Sequence, residues 1–137
     1  MGVIVKTIQE NVGTQIVEKK SKFIADLFYV TSEEEAKEKL EEIRKKYYDA
    51  KHHCYAYRVI DENRIIERAS DDGEPAGTAG APILHLLNKL ELTNVLLVVT
   101  RYFGGILLGT GGLIRAYTQA SQLAIENAQM VEVVKRI

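Results

Sequence analysis

Residues 95–117 read VLLVVTRYFGGILLGTGGLIRAY. Val95 to Val99 is an unbroken apolar run, which reads as a buried strand. From Leu113 onward, Ala116, Tyr117, Ala120, Leu123 and Asn127 mark one helical face, so a helix reaching about Asn127 follows. Between strand and helix lie Gly104, Gly105, Gly109, Gly111 and Gly112, half of the ten glycines in the chain. That density implies unusual backbone angles or a close approach by other atoms. Arg101 and Arg115 flank the loop, and no acidic residue occurs between Glu91 and Glu126. A locally positive, glycine-rich entry to a helix suits anions, because free N–H groups and the helix dipole point the same way. Thr110 is expected near the N-cap. Leu113 and Tyr117 are expected to face the sheet.

Two nucleotide motifs can be tested here. Gly104 and Gly109 have the G-x-x-x-x-G spacing, but Thr110 stands where a P-loop needs Lys. The G-x-G-x-x-G fingerprint fails because position 114 is Ile. The loop can still hold a phosphate, or its glycines can serve tight packing of helix on sheet.

Outward from this stretch, the pattern alternates strands and helices. Val3 to Ile8 reads as an edge strand. Thr14 to Lys19 and Phe23 to Val30 read as two strand segments. Ser32-Glu33-Glu34-Glu35 is a capping box, and Ala36, Leu40, Ile43 and Tyr47 continue it as an amphipathic helix over 32–48. His52 to Ile60 and Arg64 to Ala69 read as strands around an Asp61-Glu62-Asn63 turn. Ser70 to Gly80 is a loop, and Pro82 fits the first turn of a helix running to about Leu90. The order predicts an α+β domain over 1–137, a mixed sheet with helices packed on one face.

The 137 residues carry a net charge of −1, so the whole chain gives no polyanion-binding signal. The single cysteine, Cys54, excludes an intramolecular disulfide and suggests a reducing compartment. No signal peptide or membrane span is read, so a cytoplasmic location without membrane partners is expected.

Asp71, Asp72 and Glu74 are the candidates for metal chemistry. Carboxylates are the ligands Mg²⁺ prefers, with phosphate oxygens completing its shell. The same groups could instead pair with Arg101 and Arg115, or cap the helix near Pro82. His52, His53 and Cys54 make neither a zinc site nor a convincing nucleophilic dyad. His53 and Cys54 point to opposite faces, and His52 and Cys54 lie roughly 6–7 Å apart along a strand. Cys54 is therefore expected in the core, with one histidine facing the acidic loop. Tyr102 and Phe103, beside Arg101, are the best candidates for stacking on bases.

SDDGEPAGTAG at 70–80 and VTRYFGGILLGTGGLIRAY at 99–117 resemble the signatures of the YigZ/IMPACT family. KSKFIA at 20–25 and HHCYAY at 52–57 resemble its other two landmarks, in the family order. The resemblance implies a fold like domain 2 of ribosomal protein S5, shared with elongation factor G domain IV and the GHMP kinases. It also implies a link to translational control. Eukaryotic members bind the activator of a kinase that phosphorylates an initiation factor. Bacterial members usually continue into a ferredoxin-like C-terminal domain, and the expectation here is a chain without it. The family's distinctive positions fall here on His53, Asp71, Asp72, Gly73, Glu74, Gly77, Thr78 and Gly80. They continue on Arg101, Tyr102, Phe103, the five loop glycines and Arg115.

The expected function is thus a non-enzymatic regulatory domain of translation, contacting RNA or a protein partner and needing no cofactor. The alternative is a phosphate-handling enzyme, with Mg²⁺ on the 71–74 loop and phosphate on the 104–112 loop. Oligomeric state is not legible in the sequence.

Overall fold

The computed structural model describes residues 2–136; Met1 and Ile137, the ends of the expected domain, lie outside the described residues. Seven strands and three helices follow one another as β1 (Gly2–Ile8), β2 (Val12–Glu18), β3 (Ser21–Tyr29), α1 (Glu33–Lys46), β4 (His52–Asp61), β5 (Arg64–Ser70), α2 (Gly80–Lys89), β6 (Val95–Tyr102), α3 (Gly109–Glu126) and β7 (Met130–Arg136). The α+β class expected from the sequence is what forms.

The apolar run lies at the centre of the main sheet, whose strand order is β2-β3-β6-β4-β5. Strands at that position are covered on both sides, which is why β6 carries no polar alternation before Thr100. Every ladder in this sheet is antiparallel, so the mixed sheet expected from the sequence is corrected. β3 and β4 do run parallel to each other, joined through α1. β6 inserts between them, antiparallel to both, and removes the parallel pairing.

The one-face arrangement of the helices is corrected too. Phe23, Ala25 and Leu27 of β3, Cys54 and Ala56 of β4, and Val95, Leu97 and Val99 of β6 pack against α2 and α3. The alternate residues Tyr57, Val59, Leu96 and Val98 pack with Ala36, Leu40 and Ile43 of α1. Successive strand residues point to opposite faces, so a fully apolar β6 requires cover on both.

Local signals act as read. Ser32 Oγ accepts from Glu35 N–H at 3.0 Å, and Glu35 Oε1 accepts from Thr31 N–H at 2.8 Å, closing the start of α1. Lys19-Lys20 and Glu62-Asn63 all have positive φ and form tight turns joining β2 to β3 and β4 to β5. β7 has no counterpart in the sequence reading. It pairs with β1 in a separate two-stranded antiparallel ribbon.

Candidate functional site

The register of β6 sets the site. Arg101 stands opposite Phe23 on β3 and His52 on β4, at the end of the sheet where the chain enters the glycine loop. The acidic loop leaves β5 at that same end and crosses the mouth of β4. The two motif loops therefore meet, although Glu74 and Arg101 are 27 positions apart.

Arg101 is buried, with 5% of its surface exposed. Its Nη1 donates to both Glu74 oxygens, at 3.0 and 2.9 Å. Its Nε and Nη2 lie 3.4 and 3.3 Å from Ser21 Oγ, which also accepts from Gly104 N–H at 3.3 Å. The guanidinium carbon sits 5.6 and 5.5 Å from the rings of Phe23 and Phe103. Arg101 thus joins β3, the acidic loop and the glycine loop, and its expected role as a free anion contact is corrected: burial beside Glu74 commits the charge inside the protein. Arg115 is exposed at the surface of α3.

Each carboxylate of the acidic loop has a protein partner. Asp71 accepts from three backbone N–H groups, Gly77 at 2.9 Å, Ala79 at 3.1 Å and Gly80 at 2.8 Å, and so caps α2. Burial would raise its carboxyl, but these three donors together outweigh burial and hold it below the usual carboxylate range. Asp72 Oδ2 accepts from His53 N–H at 2.7 Å. Besides Arg101, Glu74 accepts from the Tyr117 hydroxyl at 2.5 Å and lies 3.7 Å from His52 Nε2. Thr78 is buried and donates to the Pro75 carbonyl at 2.6 Å. Among the described residues no three metal-ligating side chains converge. Asp71, Asp72 and Glu74 diverge toward separate partners instead.

Both histidines reach this loop, from opposite faces of β4. His52 Nδ1 is 2.9 Å from the Asp72 carbonyl, and His53 Nε2 is 2.8 Å from the Tyr47 carbonyl. The buried Cys54 thiol lies 3.0 Å from the Asp71 carbonyl and 3.3 Å from the Tyr117 hydroxyl. Burial pushes its pKa up to about 12, and the nearby carboxylates push the same way, so no thiolate is available as a nucleophile. Burial, with Cys54 and Glu74 alongside, also raises Tyr117 far above an ordinary phenol.

The glycine loop opens outward. Gly104 is fixed by contact, because a Cβ there would lie 2.0 Å from the Lys20 carbonyl oxygen. Gly109 turns the chain into α3 at φ 75°. The helix therefore begins before Thr110, with Leu108 as N-cap and no side-chain cap, so the expected N-cap role of Thr110 is corrected. Gly111 and Gly112 lie in the first turn, and Leu113 and Tyr117 face inward as expected. Tyr102 is half-buried, and its hydroxyl donates to Asp49 at 2.6 Å. Phe103 is 51% exposed and Leu107 81% exposed.

Between the loops runs an open groove of about 420 Å³. Pro75, Phe103, Leu107 and Leu113 supply its apolar wall, Lys51 and His52 its polar one, and the Arg101–Glu74 pair its floor. The sequence reading did not single out Ser21, Lys51, Pro75 or Leu107 as site residues. Of the three adjacent aliphatics inside the glycine-rich loop, Ile106, Leu107 and Leu108, the first two were the available signal. Both remain exposed.

The Impact N-terminal domain model matches residues 19–125. IMPACT family member YvyE of Bacillus subtilis is 48% identical over 126 residues, covering 92% of this chain and 58% of that protein. The chain therefore spans little more than half the length of this curated relative. A crystal structure of a hypothetical protein superposes with TM-score 0.90 at 37% identity, covering 97% of this chain and 65% of the other. The two-domain translational regulator Yih1 superposes with TM-score 0.53 at 28% identity, covering 90% of this chain and 47% of its own.

Proposed function

The chain belongs to the Impact N-terminal domain family, and from that premise we propose that it is a single non-enzymatic binding domain of translation control. Its contact surface is the groove between the 71–78 and 103–113 loops. The observation that carries this reading is the contrast between the groove's locked floor and its open wall. The Arg101–Glu74 pair is buried and internally bonded, whereas Phe103 and Leu107 stand in solvent. Exposed apolar residues grouped around a concavity are a feature of interaction sites. Likeness to a translational regulator supports translation as the process. The diverging carboxylates support binding over metal-assisted phosphate chemistry, because each already bonds a protein group.

The test is a cell-free translation reaction supplied with the purified chain. Reporter synthesis should change with its concentration, and Leu107→Asp should abolish the change while the protein stays folded. Unaltered synthesis at every concentration would overturn the reading. An effect retained by Leu107→Asp would place the contact elsewhere.

A further inference from the structure

The chemistry of the groove's rim narrows what can occupy it. Lys51 lines the groove itself. Leu108 also borders an adjoining depression, where Lys19 and Arg115 stand. Lys20 packs its backbone against Gly104, at the base of the same loop. Against these four cations stand Glu18, which shares the depression with Lys19, and Asp71 and Asp72 on the facing loop, whose oxygens are taken up by backbone N–H groups. Glu74 adds no free negative charge because Arg101 bonds both its oxygens. The first turn of α3 contains no acidic residue. The rim therefore favours a negatively charged occupant.

The wall decides its class. Bases of single-stranded nucleic acid are held by stacking on aromatic rings. Among the described residues, Phe103 and the His52 imidazole are the rings lining the groove, His52 is tied to the Asp72 carbonyl, and Leu107, Leu108 and Leu113 offer no π face. Tyr102, the other stacking candidate, is half-buried and hydrogen-bonded to Asp49. Aliphatic walls with a cationic rim match peptide recognition, in which apolar anchors enter a groove and charges align around it. The volume falls within the range of about 300–1,000 Å³ typical of ligand sites, room for a few side chains.

Building on the binding reading above, we propose that this groove docks an acidic, amphipathic segment of a partner protein. Leucine or phenylalanine side chains of that segment enter between Pro75 and Leu113. Flanking aspartates or glutamates meet Lys51, Arg115 and the Lys19-Lys20 turn. Ile106 and Ile114, next in sequence to Leu107 and Leu113, are also exposed.

Random peptides of about 15 residues, roughly four helical turns, displayed on phage and selected on the wild-type chain, test this directly. Binders that persist on Leu107→Asp are discarded. The remaining peptides should be rich in Leu or Phe beside Asp or Glu. Their affinity should fall about tenfold in Lys51→Glu, because the reversal sets like charges against each other. Amides from Leu107 to Leu113 should shift on titration. Enrichment of basic peptides, or of no class depleted by Leu107→Asp, would overturn the proposal. So would oligouridylate binding the groove where acidic peptides do not. If Leu107→Asp abolishes the translation effect while no acidic peptide is enriched, the binding domain stands and only this occupant falls. Acidic peptides that bind while synthesis is unchanged keep the groove's occupant and remove its role in translation.

Discussion

The acidic loop at 71–78 and the glycine loop at 103–112 carry opposite messages in sequence and in structure. In the sequence, three carboxylates within four positions read as a candidate metal site, and five glycines as an anion-binding turn or as tight packing. In the folded chain the acidic loop is the internal lock: Asp71 caps α2, Asp72 ties down β4 and Glu74 bonds Arg101 and Tyr117. The glycine loop is fixed at its base by Gly104 and leaves Phe103, Ile106 and Leu107 in solvent. Charge density on a loop thus says little about function until the partner of each charge is known. A carboxylate with three backbone donors is as fully used as a core leucine.

If that contrast holds, damage to the acidic loop should appear in stability, and damage to the glycine loop's tip only in binding. Glu74→Ala should have the largest effect, because it strands a buried guanidinium. Breaking such a pair costs about 3–5 kcal/mol, read as a lower midpoint in urea unfolding. Wild-type stability in that variant would mean that Arg101 finds water or another partner, and the lock would be no lock.

Gly104→Ala should follow, at about 1–3 kcal/mol for forcing a methyl into a packed contact. The Lys20 carbonyl has to move for the methyl to enter. This variant separates the base of the glycine loop, which is structural, from its tip.

Asp71→Ala should cost about 0.5–2 kcal/mol, the range for losing a helix cap. Its pH dependence carries a sign. The folded pKa is depressed, so the stabilisation is present above the unfolded value of about 3.9 and is lost as pH falls through the lower folded value. Unfolding curves between pH 6 and pH 2 should therefore show less acid sensitivity in Asp71→Ala than in wild type. Identical slopes would assign the acid sensitivity to other carboxylates.

The smallest stability effect belongs to Leu107→Asp, expected within about 0.5 kcal/mol of wild type, as for exposed sites without special roles. A clear loss of stability there would show that Leu107 packs, and would erase the difference between the two loops.

What the sequence determined by itself was local. The capping box at Ser32, the turn at Glu62-Asn63, the buried run Val95–Val99 and the inward face of α3 each follow from a few neighbouring residues. Periods of two and 3.6 and the geometry of caps act within one element, so they can be read without the rest of the chain. The family motifs were legible for the same reason, as short contiguous strings. Pairing at a distance came from the fold. β7 is rich in valine, yet its partner is β1, at the other end of the chain. Which face receives α1 depends on β6 standing between β3 and β4. The make-up of the candidate site turned on the register that sets Arg101 beside His52 and delivers Glu74 to it. A carboxylate's partner is chosen by where the backbone brings donors, and a surface is functional through what the fold leaves uncovered. Both are properties of the packed chain, which no local spacing contains.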